Sequence, residues 1–166
     1  MRKALGLSFG AMDLPAALTS RLARHFSAER VNEIANDPDV RPTCGGDGES
    51  YLDFESFFTN PKNHCLVWDQ GFLMFYWTAP DTYELHIAVL PEGRGKDAYR
   101  MVQEGIDYMV ASGANHLWAR VAHNFNALRH LAAQTGFVKC DRDWLDIGFG
   151  AVEYDIYQWK NLCPRP

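Results

Sequence analysis

The sequence predicts a single domain of mixed α/β architecture, and three observations carry that prediction. The segment HCLVWDQGFLMFYWTAPDTYELHIAVL, residues 64–90, is rich in β-branched and aromatic residues. Breaks at Asp69-Gln70-Gly71 and Ala79-Pro80-Asp81 divide it into a meander of three strands. Residues 97–111 then place Ala98, Met101, Val102, Gly105, Ile106 and Met109 at intervals of three and four, the stripe of a core-facing helix that stops before Gly113. Downstream, strand and helix alternate: a strand over 116–121, a helix over 126–134, a strand over 137–140 and a last strand over 151–159, in which Val152, Tyr154 and Ile156 share one face.

The earlier elements follow from capping and breaking signals. Residues 3–9 read as a first strand, and Asp13 is a candidate N-cap for a helix carrying Leu18, Leu22 and Phe26. Ser27 is placed to cap a second helix with Val31, Ile34 and Ala35 inward. That helix must end near Asn36-Asp37-Pro38, because a residue before proline is pushed out of the helical region. Residues 42–50, PTCGGDGES, form a glycine-rich loop, and residues 53–58 a short amphipathic helix.

The chain has 166 residues, 47% of them hydrophobic, enough for one well-packed core and too few for two ordinary domains, so residues 1–166 are read as one unit. A formal charge of -5 and a pI near 5.6 argue against a broad nucleic-acid footprint, so any anion site must be local. The sequence has no apolar run of about 18 residues, and the N-terminal MRKALGLSFGAMDLP is too short and glycine-interrupted for a signal peptide. A cytoplasmic location with no membrane partner is expected. Cys44, Cys65, Cys140 and Cys163 form no C-x-x-C pair or matching His spacing, so neither a metal site nor a disulfide framework is expected and all four are read as reduced thiols.

Two places concentrate chemistry. Where the third meander strand meets the following helix, Pro91-Glu92-Gly93-Arg94-Gly95-Lys96 makes a tight turn whose unpaired amides and helix dipole attract phosphate. Arg94, Lys96 and Arg100 add three cations there; the bland alternative is a solvated surface with Asp97 capping the helix. On the strand before the turn, Glu84, His86 and Ala88 share one face, opposite Tyr83, Leu85, Ile87 and Val89. A carboxylate and an imidazole on a central strand are costly unless solvated or paired, so they act either in proton transfer or as a pair holding neighbouring loops. Asn124 and Asn126 begin the next helix and fit as caps. Tyr154 and Tyr157 lie on opposite faces of the last strand, so at most one approaches a site shared with Glu84. The five tryptophans read as core and edge packing.

The strand 83–90 running into Val89-Leu90-Pro91-Glu92-Gly93-Arg94-Gly95 resembles the V-x-P-x-x-R-G-x-G-x-G/A turn of the GNAT acetyltransferases. Asn124-Phe125-Asn126-Ala127 followed by Thr135-Gly136-Phe137 resembles that family's N-x-x-A helix ending in G-F. Together the motifs cover residues 83–140, about half of the chain. The segment VNEIANDPDVRP and the strand ending YELH are similar to GNAT-like proteins of phages and prophages. The resemblance implies a mostly antiparallel sheet of about six or seven strands with helices on both faces.

It further implies acetyl-CoA as co-substrate, held by Ala88, Val89, Leu90, Arg94, Gly95, Lys96, Asp97, Ala98 and Asn126. An amine acceptor would be acetylated directly, with Glu84 or His86 as base and Tyr154, Tyr157 or water as proton donor. Burial of Glu84 is expected to raise its pKa towards neutrality. The sequence departs from the family pattern at Asp97 and Tyr99, where glycines are usual, and at Ala132, near the usual helix tyrosine. These departures support an alternative, a non-catalytic phage protein that binds a host factor or forms part of the virion. A host-cytoplasmic location would follow from a phage origin, and a homodimer is compatible with either reading.

Overall fold

The computed structural model describes residues 21–146, 148 and 150–159; the proposed strand at 3–9 and the cap at Asp13 lie outside them. Seven strands form one sheet in the order β1-β2-β3-β4-β5-β7-β6. They are β1 (Ala23–His25), β2 (His64–Trp68), β3 (Gly71–Ala79), β4 (Thr82–Val89), β5 (His116–Ala122), β6 (Phe137–Asp146) and β7 (Ala151–Trp159). All neighbouring pairs are antiparallel except β4 and β5. The helices are α1 (Glu29–Ala35), α2 (Glu55–Phe58), α3 (Lys96–Ala111) and α4 (Asn126–Gln134), with 3-10 turns at Arg41–Thr43 and Pro91–Gly93.

The sheet separates two cores. On one face Val31, Ile34 and Ala35 of α1 and Phe57 of α2 pack against Cys65, Val67, Phe72, Met74 and Ala88. On the other, Met101, Val102, Ile106 and Met109 of α3 pack against Leu66, Leu73, Phe75, Leu85 and Leu117, with Leu128 and Leu131 of α4 alongside. Each fully buried side chain of that α3 stripe stabilises the fold by about 1.5–3 kcal/mol. Gly105 is what brings α3 down onto β3: a Cβ there would collide with Leu73 Cδ1, so even alanine overpacks the contact.

Several expectations are corrected. Residues 23–25 pair with β2 instead of continuing a helix from Leu22 to Phe26, and Phe26 is exposed. Ladder pairing with Cys65–Val67 overrides the four-residue apolar spacing. The N-cap of α1 is Ala28 without a side-chain bond, so Ser27 does not cap it, whereas the helix does end at Asn36, before Asp37-Pro38. β6 runs six residues past Cys140, to Asp146, because each of those residues pairs with β7 although most of their side chains face solvent. Cys140 is disulfide-bonded, against the expectation of four reduced thiols, while Cys44 and Cys65 are free.

Candidate active site

β4 and β5 pair only over Thr82↔His116, Tyr83↔Leu117 and Glu84↔Trp118. Beyond that point β4 runs on to Val89 and β5 to Ala122 without pairing with each other, leaving a fork in the middle of the sheet. The free edge of β4 presents backbone donors and acceptors that the ladder does not use. Two cavities meet in this fork. One, of about 690 Å³, runs from Ala88 and Val89 past Arg94, Gly95, Lys96 and Ala98 to His130 and Gln134 of α4. The other, of about 340 Å³, is floored by Glu84, His86 and Arg120. Thr43, Ile87, Ala88, Phe125, Leu128 and Leu131 line both, so the two form one continuous cleft.

At the larger cavity's end the chain prepares an anion site. Gly95 has φ 80°, a left-handed conformation that favours glycine, and the space where its Cβ would stand is open. The first main-chain bond into α3 is donated by Tyr99 N–H to Gly95 O at 3.0 Å, which leaves the preceding amides at the positive end of the helix. Arg94 lines the cavity while its guanidinium donates to Asp39 O at 2.8 Å, tying the turn to the α1 side. Asp97 is not a cap: its carboxylate pairs with Arg21 at 2.6 Å and Arg100 at 3.3 Å, and it does not line the cleft. Leu90 donates its N–H to Gln70 O, and Asn126 accepts from Arg129; neither side chain reaches the cleft. Ala88, Val89, Arg94, Gly95, Lys96 and Ala98 are thus brought together, and Leu90, Asp97 and Asn126 are not.

At the smaller cavity Glu84 is only 6% exposed. Arg120 grips it with two hydrogen bonds, Nε to Oε1 at 2.8 Å and Nη2 to Oε2 at 3.2 Å. His86 Nε2 lies 3.3 Å from Glu84 Oε1, and the Tyr76 ring leans on the imidazole at 4.8 Å between centroids. Burial alone raises the Glu84 pKa, but the hydrogen bonds and charges of His86 and Arg120 outweigh it and the net shift is downward. The expected rise towards neutrality is therefore corrected: Glu84 is a held anion. Tyr154 lines the same cavity from β7, whereas Tyr157 is buried in the core, as their opposite faces require.

Sequence reading missed Arg120. Its signal was available: in HLWARVA the buried Leu117, Ala119 and Val121 put Arg120 on the opposite face, and adjacency of β4 and β5 brings that face to Glu84. Thr43, Cys44, Gly45 and Gly46 of the glycine-rich loop, a candidate acceptor loop in the sequence, wall the smaller cavity; Tyr99, an exposed ring lining the larger one, was also missed. Among the described residues no group of three potential metal ligands comes together, and no helix is long and apolar enough to cross a membrane.

No curated protein matches the sequence. Solved structures share its fold at low identity. A proposed acetyltransferase from Salmonella typhimurium, solved with its cofactor acetyl-CoA, superimposes with a TM-score of 0.68 at 18% identity, over 89% of this chain and 98% of that one. The ribosomal-protein-alanine N-acetyltransferase of Brucella melitensis gives 0.67 at 18% identity, over 82% and 97%. A proposed acetyltransferase from Acinetobacter baylyi gives 0.66 at 18% identity, over 87% and 94%. The model of the acetyltransferase (GNAT) family matches residues 28–137, a span holding the forked strands, the α3 turn and the Glu84–Arg120 pair. The chain belongs to the GNAT family of acetyltransferases.

Proposed function

We propose that the protein transfers an acetyl group from acetyl-CoA to a primary amine, with the cofactor in the larger cavity and the amine in the smaller. The observation that carries this reading is the continuity of the two cavities through the β4–β5 fork, which joins an anion-binding turn to a held Glu-His pair. The residues present fit the cofactor. The outward amides at the start of α3, with Lys96 and Arg94, suit a pyrophosphate, and the unpaired β4 edge suits an extended chain carrying amides. Acetyl-CoA supplies the thioester carbonyl that the amine attacks, forming the C–N bond and releasing the CoA thiol.

The chain's own residues divide the remaining work. Glu84, kept anionic by Arg120, accepts a hydrogen bond from His86 Nε2–H, leaving Nδ1 to take the proton that the amine sheds. Backbone groups after Ala88 hold and polarise the carbonyl, and Tyr154 gives a proton to the departing sulfur in place of the helix tyrosine that Ala132 lacks. Cys44 also lines the cavity, but burial pushes its thiol pKa up, which supports direct transfer over an acyl-cysteine intermediate. Incubation with acetyl-CoA and a mixture of amines, read by free thiol and by the mass of acetylated products, tests the reading. Thiol release with matching product supports it, and intact acetyl-CoA with every amine refutes it.

The alternative of binding without catalysis is favoured by Ala132, which lines the cleft where a proton donor would be useful. Under it, acetyl-CoA binds and no amine is acetylated.

A further inference from the structure

The acceptor cavity has a charge balance and a shape from which its substrate class follows. Its floor holds one carboxylate, Glu84, already neutralised by two hydrogen bonds from Arg120, which also lies against the Trp118 ring at 5.5 Å. Among the described residues no other acidic side chain lines the cavity. The walls are apolar or aromatic: Phe54, Phe72, Met74, Leu145 and the ring of Tyr154. A cationic group entering away from the floor would lose its hydration with no anion to meet it.

The outer wall, Thr43 to Gly46, is held in place rather than free to reshape. Arg41, 6% exposed, donates to Gly45 O at 2.8 Å, Ser50 O at 2.5 Å and Asp47 Oδ1 at 3.0 Å. The Asp47 carboxylate in turn accepts from the amides of Glu49 and Ser50 and from the Ser50 hydroxyl, and these bonds pull its pKa down to about 2. An arginine whose donors fill the carbonyls of its own loop fixes that loop's shape. Outside the cavity the same stretch is acidic, with Asp37, Asp39, Asp47, Glu49, Asp53 and Glu55 against Arg41 alone. A cation that enters the cavity has Glu84 at the floor as its one carboxylate among the described residues.

Resting on the acetyl-transfer reading, we infer that the acceptor is a monocationic primary amine on a compact apolar or aromatic body, and not a polyamine or a lysine side chain of a polypeptide. A preformed apolar cavity of about 340 Å³ takes an aralkylamine body whole. A second ammonium, or a peptide backbone, would be stripped of water among Phe54, Phe72 and Met74.

The test compares three probes with the intact protein and acetyl-CoA: 2-phenylethylamine, spermidine, and a lysine-containing peptide blocked at its N-terminus. Acetylated product is read by mass and CoA thiol by colour. The expected result is a kcat/KM for 2-phenylethylamine about tenfold or more above either of the others, the scale on which an apolar pocket discriminates. Arg41→Met, which unties the loop, should narrow that ratio by raising KM for the amine more than KM for acetyl-CoA. Faster turnover of spermidine or of the peptide overturns the inference and leaves acetyl transfer standing. Acetyl-CoA binding with no product from any probe overturns both.

Discussion

Arg120 reaches back across the fork between β4 and β5 to hold both carboxylate oxygens of Glu84, two residues past the last paired position on β5. Removing the guanidinium leaves a nearly buried anion without its main partner, so Arg120→Met should cost about 2 kcal/mol, discounted because Arg120 itself is partly exposed. The pH dependence has a definite sign. In the native protein the Glu84 pKa is lowered on folding, so its contribution is full above the ordinary carboxylate range and is lost as pH falls through the folded value. In Arg120→Met only His86 still opposes the effect of burial, the Glu84 pKa moves upward, and the deficit should shrink on acidification. Urea melts at several pH values read this directly, and Glu84→Gln in the same background should recover part of the loss.

A second carboxylate works differently. Asp155 has no exposed surface and is ringed by Lys139 at 2.5 Å, Arg129 at 2.9 Å, His123 at 3.1 Å and Arg142 at 3.4 Å. Burial raises its pKa, but the hydrogen bonds and charges of Lys139 and His123 outweigh that and bring it down to about 2. Its stabilisation is present above the unfolded carboxylate value and disappears as pH falls through about 2. Asp155→Asn should lower Tm by about 5 °C or more at neutral pH, since α4 loses its tie to β6 and β7, and the gap from the native protein should narrow near pH 2.

How much of this was legible in the sequence depended on where each residue's partner lay. The bounds of α4 and β7, and α3 to within a residue, followed from local periodicity, because their partners are repeats along the same segment. The last six residues of β6 carry Asp141, Arg142, Asp143 and Asp146, mostly solvent-facing, and only pairing with β7 makes them a strand. The turn at Gly95 could be read because its chemistry is backbone and local. The sign of the Glu84 shift could not, because besides the nearby His86 part of what lowers it comes from Arg120, 36 residues away and brought alongside by the α3 crossover. Asp155 drew no attention for the same reason: His123, Arg129 and Lys139 come from three other segments.

The pairing of Asp97 with Arg21 and Arg100 turns its carboxylate to another use than the cofactor turn. Asp97→Asn should leave CoA affinity unchanged or slightly tighter, as one negative charge near the phosphates is removed. A large loss of affinity without unfolding, measured by calorimetry beside a thermal melt, would mean that the carboxylate serves the cofactor after all.

If His86 takes the amine's proton and Glu84 orients it, the two substitutions should differ in size. His86→Gln should lower turnover by about 10²-fold, and Glu84→Gln by a smaller factor of about ten, with CoA affinity unchanged in both. Steady-state kinetics with saturating acetyl-CoA separates them. Full turnover in His86→Gln alongside a large loss in Glu84→Gln would reverse the assignment.

The account stands on acetyl-CoA occupying the cleft between the parted strands, and calorimetric titration of the intact protein with acetyl-CoA is its most direct test. Saturable binding of one cofactor per chain is expected, weakened in Arg94→Glu, and weakened more at low than at high salt because the lost attraction is partly exposed and screened. No binding heat and no thermal shift at millimolar acetyl-CoA would contradict it.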